Sequence, residues 1–308
     1  MAHSHSHHHA AQASGHSPQD FSKAFAIAIL LNLAFTVIEA IYALMANSSS
    51  LLADAAHNLG DVLGLAIAWF ASWLMGLEAT EKFTYGYKRT TILAAFTNAV
   101  LLVVASVLIV VEAIDKLFHP APVHELTVIV VAMIGIVING GSALLFMKGR
   151  HDDLNLQGAY LHLLLDGLLS IGVVVVGVAV WFTNWLWLDP VMGIVIVLII
   201  LFSTWRLLTD SLNLMMDAVP TWVSPTKVQA YLEEVDDVCA VHHMHIWGLS
   251  TQGAALTAHI VTKNGVLSNE QYATIKQDLK AAFKIEHVTL QVELASDEQR
   301  CSQIDACH

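Results

Sequence analysis

The sequence predicts an α-helical membrane protein of six transmembrane helices followed by a small α+β domain with a ferredoxin-like (αββαβ) order. Of the 308 residues, 56% are hydrophobic and only 13% are charged, whereas an ordinary soluble domain carries about 25% charged residues. So few charges cannot coat a water-exposed surface. The formal net charge of −12 also argues against the basic patch that nucleic-acid binding requires, so we expect no nucleic-acid partner.

Six apolar stretches are long enough to cross the hydrocarbon core of a bilayer, which takes about 20 helical residues. They are Ala24–Ala46, Leu51–Met75, Thr90–Ile114, Glu125–Met147, Leu156–Phe182 and Trp187–Leu208. The short link between the first two predicts a tight helical hairpin. We therefore expect a disordered, His-rich tail over 1–22 and a transmembrane domain over 23–211. The histidines of the tail are either a native segment that collects metal weakly or a cloning tag.

The loops between the predicted spans differ in positive charge. The loops after spans two and four together hold Lys82, Lys88, Arg89, Lys148 and Arg150, whereas the opposite loops hold only Lys116. Cytoplasmic loops are enriched in Lys and Arg, so both termini are predicted to lie in the cytosol. We expect a multi-pass protein of the inner (cytoplasmic) membrane.

From Leu212 onward the composition becomes that of a soluble domain, with twelve acidic and six basic side chains over 212–308. Alternation of apolar and polar residues predicts the strands, and Ser268 is placed to cap a helix. The predicted elements are a helix over Pro225–Val235, strands over Ala240–Leu249 and Ala254–Thr262, a helix over Ser268–Phe283 and a strand over His287–Leu294. We expect a separate domain over 212–308, on the cytosolic side by the predicted orientation, that ends in a cysteine-containing tail.

Two of the spans carry the same pair of ionisable residues at the same spacing. His57 and Asp61 lie four residues apart in span two, and His162 and Asp166 repeat this spacing in span five. Residues at this spacing share one face of a helix. An aspartate near the bilayer centre costs roughly 2.5–3.5 kcal/mol, and ionisable groups there usually mark a pathway or a ligand site. Two imidazoles and two carboxylates supply the four ligands of a tetrahedral Zn²⁺ site.

The alternative is that these four side chains line a polar seam between helices or hydrogen-bond to one another. One His–Asp pair alone would not decide between the two interpretations, and the repetition of the pair on a second span favours the metal site. Other polar residues inside the spans, among them Glu39, Asp54 and Asn139, either adjust the pathway or tie helices together.

Three short segments are similar to one family of transporters. The stretch Ser49–Asp61, which reads SSLLADAAHNLGD, resembles the span-two signature of the cation diffusion facilitators. The segments Tyr85–Arg89 (YGYKR) and His245–Trp247 (HIW) resemble the branch of bacterial zinc and cobalt–zinc–cadmium efflux proteins and animal zinc transporters. The resemblance covers about Phe25–Leu294. It implies six spans, cytosolic termini, a homodimer that exports a divalent metal in exchange for protons, and a metal-binding cytosolic domain.

The resemblance also implies which ions move and where. Zn²⁺ would be the exported substrate as well as a ligand of the cytosolic domain, and H⁺ the exchanged ion. His57 and His162, where some relatives carry carboxylates, would bias the site toward Zn²⁺ over Cd²⁺. Some family members also bind metal in the loop after span two. The corresponding stretch, Glu78–Arg89, contains no histidine here, so we expect no metal site in that loop.

Three histidines lie close together on the first predicted strand of the C-terminal domain, at His242, His243 and His245. In a strand, alternate residues share a face. This alternation predicts that His243 and His245 point one way and His242 the other.

The same domain offers further zinc ligands on its other strands and in its tail. The family resemblance favours His243, His259 and Glu293 as a site near the dimer interface. The thiols of Cys301 and Cys307 are also suitable ligands for zinc. The alternative is a set of surface histidines on an acidic domain.

Two other classes of function compete with that of a transporter. A zinc protease inside the membrane would require the pattern H-E-x-x-H, and the nearest string, His124–Val128, has Val where the second His belongs. A His-box oxygenase would require three clustered His boxes, which the spans do not offer. Both enzyme hypotheses are therefore disfavoured, whereas a passive metal channel can be distinguished only by testing whether protons drive the flux.

Overall fold

The computed structural model describes residues 18–147 and 154–295, which form eight helices and three strands. The helices of the membrane part are α1 (Pro18–Ala46), α2 (Ser49–Met75), α3 (Thr90–Phe118), α4 (Glu125–Phe146), α5 (Leu154–Thr183) and α6 (Leu188–Met215). The C-terminal part contains α7 (Pro225–Glu233), β1 (Val238–Gly248), β2 (Ala254–Thr262), α8 (Asn269–Phe283) and β3 (Ile285–Leu294). The His-rich run before Pro18 and the tail cysteines Cys301 and Cys307 lie outside the described residues.

Each of the six predicted spans falls on one of the helices α1–α6, so the predicted fold class is confirmed. Five of them, α2–α6, are long and apolar enough to cross a membrane, and the apolar part found in α1 is Leu30–Ala46. The main difference lies at the helix ends. Helix α6 continues from its predicted end at Leu208 to Met215, because a helix keeps its backbone hydrogen bonds beyond the point where its side chains become polar.

Many large apolar side chains of the membrane helices are exposed, whereas several polar ones are buried. Phe202 is 88% exposed and Trp69 is 73% exposed, whereas Glu39 and Asp54 are fully buried. Large exposed apolar surfaces mark contact with lipid or with another protein, and ionisable groups inside a membrane usually face the interior of the bundle. This distribution is the one expected of a bundle surrounded by hydrocarbon.

Two compact units divide the described chain. The first contains the residues up to Leu59 together with Asp115–Gly193, and the second contains Gly60–Ile114 together with the chain from Ile194 onward. Within the first unit, α4 packs along α5 and α1.

The C-terminal domain is built on a three-stranded sheet in the order β1-β2-β3. Strand β2 pairs antiparallel with β1 and parallel with β3. Side chains of β2, α7 and α8, including Ile260, Leu232 and Leu279, form one buried apolar core. Ser268 caps α8 through a capping box that it shares with Gln271, which satisfies two backbone N–H groups at the start of that helix. The domain has the predicted αββαβ order.

Strand β1 is interrupted by a β-bulge among its histidines. The pairing of β1 with β2 shifts register between His242 and His245, and His243 has a positive φ of 46°. An extra residue in a strand breaks the alternation of its side chains. The prediction that His242 points away from His243 is therefore wrong, and their ring centroids lie 5.0 Å apart.

Candidate metal centres

The start of α2, the helix that carries the first His–Asp pair, is held by a carboxylate from α6. Asp189 accepts hydrogen bonds from Ser48 Oγ at 2.6 Å, from the backbone N–H of Ser49 at 2.6 Å and from Ser50 Oγ at 2.5 Å. The N-terminus of a helix has free N–H groups and a partial positive charge, so a carboxylate stabilises it. Gly193 lies one turn further along α6, where a Cβ would come within 2.8 Å of the carbonyl oxygen of Ser49.

Three of the four predicted membrane ligands meet around the carboxylate of Asp166 on α5. Its Oδ1 lies 3.3 Å from Nε2 of His57 on α2. Its Oδ2 lies 3.5 Å from Nε2 of His162, one turn earlier on α5. The two imidazole rings approach edge to face, with centroids 6.1 Å apart. The structure therefore brings side chains from two different spans to one position.

The fourth predicted ligand, Asp61, lies one turn after His57 on α2. His57 and Asp166 offer ligand atoms within 4.8 Å of one another. Zinc binds nitrogen and oxygen at about 2.0–2.2 Å, so the ligand atoms of a tetrahedral site lie roughly 3.3–3.6 Å apart. The distances from the two oxygens of Asp166 to the two histidines have this length.

Burial of Asp166 favours a cation at this position. The residue is 3% exposed, and its Oδ1 accepts no hydrogen bond from the described residues. A buried carboxylate is costly unless it is paired or coordinates a metal. A divalent ion bound to both aspartates and both neutral histidines would leave the group with no net charge.

A second cluster of ligands lies on the sheet of the C-terminal domain. His242, His243 and His259 each offer a nitrogen, and these nitrogens lie within 4.8 Å of one another. Glu293 on β3 holds two of the rings, with Oε1 at 2.7 Å from His259 Nδ1 and Oε2 at 3.1 Å from His242 Nε2. Burial would raise the pKa of Glu293, but the hydrogen bonds from His259, His242 and Gln291 together outweigh it and keep this pKa below its usual value.

This arrangement adds one residue to the predicted set. Of the predicted set, His243 lies beside His259, with ring centroids 5.0 Å apart, and Glu293 contacts His259. His242 joins them because the bulge turns its ring toward them. The local sequence His-His-Met-His does not predict the bulge. The only local signal is that His242 and His243 are adjacent, which indicates a candidate metal-binding region. The predicted contributions of Cys301 and Cys307 lie outside the described residues.

Comparison with known protein families covers both parts of the chain. Residues 25–216 match the model of the cation efflux transmembrane domain, and residues 222–295 match that of the cation efflux protein cytoplasmic domain. The chain belongs to the cation efflux family, also called the cation diffusion facilitators. The resemblance read from the three short motifs is thus confirmed, and the cytoplasmic-domain model, which is named for dimerisation, indicates that the chain dimerises.

Several curated relatives are similar over nearly their whole length. The metal cation efflux system protein CzcD of Cupriavidus metallidurans is 37% identical over 95% of this chain and 92% of its own. The zinc transporter ZitB of Escherichia coli is 33% identical over 100% of this chain and 96% of its own. A cadmium, cobalt and zinc/H⁺–K⁺ antiporter of Bacillus subtilis is 31% identical over 88% of each chain. These relatives place the protein among metal-cation efflux proteins and point to transport rather than catalysis.

Proposed function

We propose that this protein exports Zn²⁺ from the cytosol in exchange for H⁺ by alternating access, as a homodimer in the inner membrane. The observation that carries the proposal is the contact of His57 and His162 with the two oxygens of Asp166, at 3.3 and 3.5 Å. With Asp61 one turn after His57, these residues supply two nitrogens and two carboxylates, a set that suits zinc. The name of the Escherichia coli relative, a zinc transporter, supports the same substrate.

Proton exchange is supported by the chemistry of the same ligands. Zinc binds only deprotonated ligands, so it competes with protons for the histidines and carboxylates. Acid on the side where the metal leaves therefore favours its release there. The Bacillus subtilis relative is named as an antiporter that exchanges metal for H⁺ and K⁺, which supports an exchange mechanism for this chain as well.

The proposed orientation in the membrane is supported by the charge of the loops. Five of the six loop cations lie in the loops after spans two and four, and such a bias favours a cytosolic location for those loops and for both termini. The C-terminal domain would then face the cytosol, where its histidine cluster can bind the metal that is to be exported.

Zinc flux into proteoliposomes, measured with and without an imposed pH gradient, tests the proposal. Acid inside the vesicles should increase uptake by the wild type. Asp166→Asn removes a ligand and a charge at nearly constant shape. It should lower the flux at least about 100-fold, because even the loss of a residue that only supports a metal ligand lowers metal affinity or activity about 10–100-fold. Asp115→Asn is the matched control, since Asp115 is exposed at the end of α3. Normal flux through Asp166→Asn, or flux that ignores the gradient, would contradict the proposal.

A further inference from the structure

Asn139 on α4 is a buried polar residue that is not one of the four proposed metal ligands. It is 1% exposed, and neither the nitrogen nor the oxygen of its side-chain amide forms a hydrogen bond within the part of the chain that the structure describes. Burial of an amide without a partner is costly. Polar groups kept inside membrane helices usually serve an ion pathway or a ligand site, so the surroundings of Asn139 indicate its role.

Helices α4 and α5 pack in antiparallel directions, and two glycines show their register. A Cβ on Gly177 would lie 3.6 Å from Cγ1 of Val128, and a Cβ on Gly135 would lie 3.3 Å from Oγ of Ser170. From the first contact to the second, the chain advances by seven residues along α4 and goes back by seven along α5. Seven residues are about two helical turns, so the same faces of the two helices stay in contact.

One further turn of this register brings Asn139 level with Asp166. Asn139 follows Gly135 by four residues on α4, and Asp166 precedes Ser170 by four residues on α5. Residues four apart share one face of a helix. Both side chains therefore belong to the faces by which α4 and α5 touch, and both are buried there.

Helix α1, which also packs against α4, offers no charge at this level. The end of α1 meets the start of α4 through a backbone hydrogen bond of 3.0 Å, so these two helices are antiparallel as well. A Cβ on Gly135 would lie 2.9 Å from Cζ of Phe35 on α1. Asn139, four residues after Gly135, is then level with Leu31 and Asn32, which are both uncharged. The charged group at this level is the carboxylate on α5.

Asp166 lacks a hydrogen bond that a metal-binding carboxylate requires. Its Oδ1 is buried and accepts none from a described residue. His57 and His162, whose Nε2 atoms lie beside this carboxylate, cannot supply one through a nitrogen that binds metal, because that nitrogen carries no proton. Carboxylates that bind metal are normally hydrogen-bonded by a further residue, which fixes their orientation. The NH₂ group of an asparagine is a donor of this kind.

We propose that Asn139 is a positioning residue of the metal site, whose amide N–H donates a hydrogen bond to the carboxylate of Asp166 while that carboxylate binds Zn²⁺. This inference rests on the proposed transport of Zn²⁺ through the site. The contact gives Asp166 the donor that it lacks and gives the amide of Asn139 an acceptor. It requires only rotation of the two side chains, because the residues lie level on the touching faces of two packed helices.

Zinc uptake into proteoliposomes at one fixed pH gradient, measured over a range of zinc concentrations, tests this role. Asn139→Leu keeps the branched shape but has no donor. It should raise the half-saturating zinc concentration about 10–100-fold, the usual effect of losing a residue that supports a metal ligand. Asn139→Gln keeps an amide and should recover part of this loss. Thr127→Val, a conservative change about three turns away on the same helix, should behave like the wild type.

The unfolding temperature of the metal-free protein separates positioning from a purely structural role. Loss of a residue that only ties helices together would lower this temperature, whereas replacing an unpartnered buried amide by Leu should leave it unchanged or raise it. A wild-type half-saturating concentration in Asn139→Leu would overturn the inference, and so would a metal-free unfolding temperature that falls together with the zinc affinity. Wild-type flux that ignores the pH gradient would instead refute the proposed exchange, and this result is independent of the comparison between the Asn139 variants.

Discussion

The carboxylate of Asp189 accepts a hydrogen bond of 2.6 Å from the backbone N–H of Ser49, so the first residue of α2 is tied to the first turn of α6. Both residues are buried, and the bond is assisted by the charge of the carboxylate. Because α2 carries His57 and Asp61 two to three turns further on, this contact fixes the height and rotation of two proposed metal ligands.

Replacing Asp189 with Asn should therefore weaken the helix start and the metal site together. The variant keeps the shape but loses the charge, and hydrogen bonds to charged groups contribute about 1.5–3 kcal/mol. We expect a lower unfolding temperature in detergent and a weaker zinc affinity. Glu125→Gln serves as the control. An unfolding temperature equal to that of the wild type would mean that the contact contributes little.

His57→Asp should change the selectivity of transport. The variant keeps four potential ligands but replaces a nitrogen by a harder oxygen and adds a negative charge to the site. We expect partial transport with a smaller preference for Zn²⁺ over Cd²⁺, measured as the ratio of the two fluxes into proteoliposomes. A ratio equal to that of the wild type would show that the histidine does not set selectivity.

The histidine cluster of the C-terminal domain should bind zinc through His242. The fragment 212–308 contains the whole apolar core of this domain, and Cys301 and Cys307 can be replaced by Ser to isolate the cluster. Zinc at 100 times its dissociation constant should stabilise the fragment by about 2.7 kcal/mol, measured by thermal unfolding. His242→Ala should remove most of this gain, whereas His245→Ala, which changes an exposed residue of the same strand, should keep it. Equal gains in both variants would exclude His242 as a ligand.

The orientation in the membrane can be tested by labelling single cysteines. Ser49 at the α1–α2 turn is fully buried, so exposed positions are more suitable. In a chain whose native cysteines are replaced by Ser, a cysteine at His119 should react with an impermeant maleimide in intact cells. One at Thr80 should react only after the membrane is opened. The opposite pattern would reverse the proposed direction of transport.

Acid should weaken the contact between the loop after α2 and strand β3. Burial and the neighbouring Lys88 lower the pKa of His287 from 6.5, and its ring packs at 5.2 Å from that of Tyr85. Because the folded pKa lies below the unfolded one, the neutral ring stabilises this contact at higher pH. That stabilisation is lost as the pH falls below about 6.5 toward the folded value.

Replacing Lys88 with Met should raise the pKa of His287, since it removes a nearby positive charge and releases Glu286 from its ion pair with Lys88. The measurement is an NMR titration of labelled histidines, with His287→Asn to assign the signal. Lys276→Met should produce a smaller rise, because Lys276 is the weaker of the two positive influences. A pKa unchanged by Lys88→Met would contradict this account.

Most of the fold was predictable because hydrophobic length and alternation report directly on membrane spans and strands. The strand predicted over Ala254–Thr262 has the same bounds as β2. The two His–Asp pairs were also visible, since their spacing depends only on helical geometry. Their meeting at Asp166 depends on the approach of His57 on α2 to Asp166 on α5, two residues far apart in the sequence, which no local pattern encodes.

Two features could not be predicted for physical reasons. The bulge that turns His242 toward His259 arises from a register shift between two strands, so it depends on a partner distant in the sequence. The sequence does not decide the roles of Glu39 and Asp54, because a polar residue inside a span can adjust the pathway or tie helices together. In the structure both carboxyl groups accept hydrogen bonds from neutral donors, Glu39 from Asn58 and Asp54 from Ser170.

The hydrogen bonds between Glu293 and the rings of His242 and His259 affect the rate at which this cluster can bind metal. Two rings already held by one carboxylate have lost most of their rotational freedom during folding, so little entropy remains to be lost when an ion arrives. The carboxylate also attracts cations from the solvent before any ligand moves. The loading of such a cluster would therefore be limited by the diffusion of metal to it rather than by rearrangement of the domain.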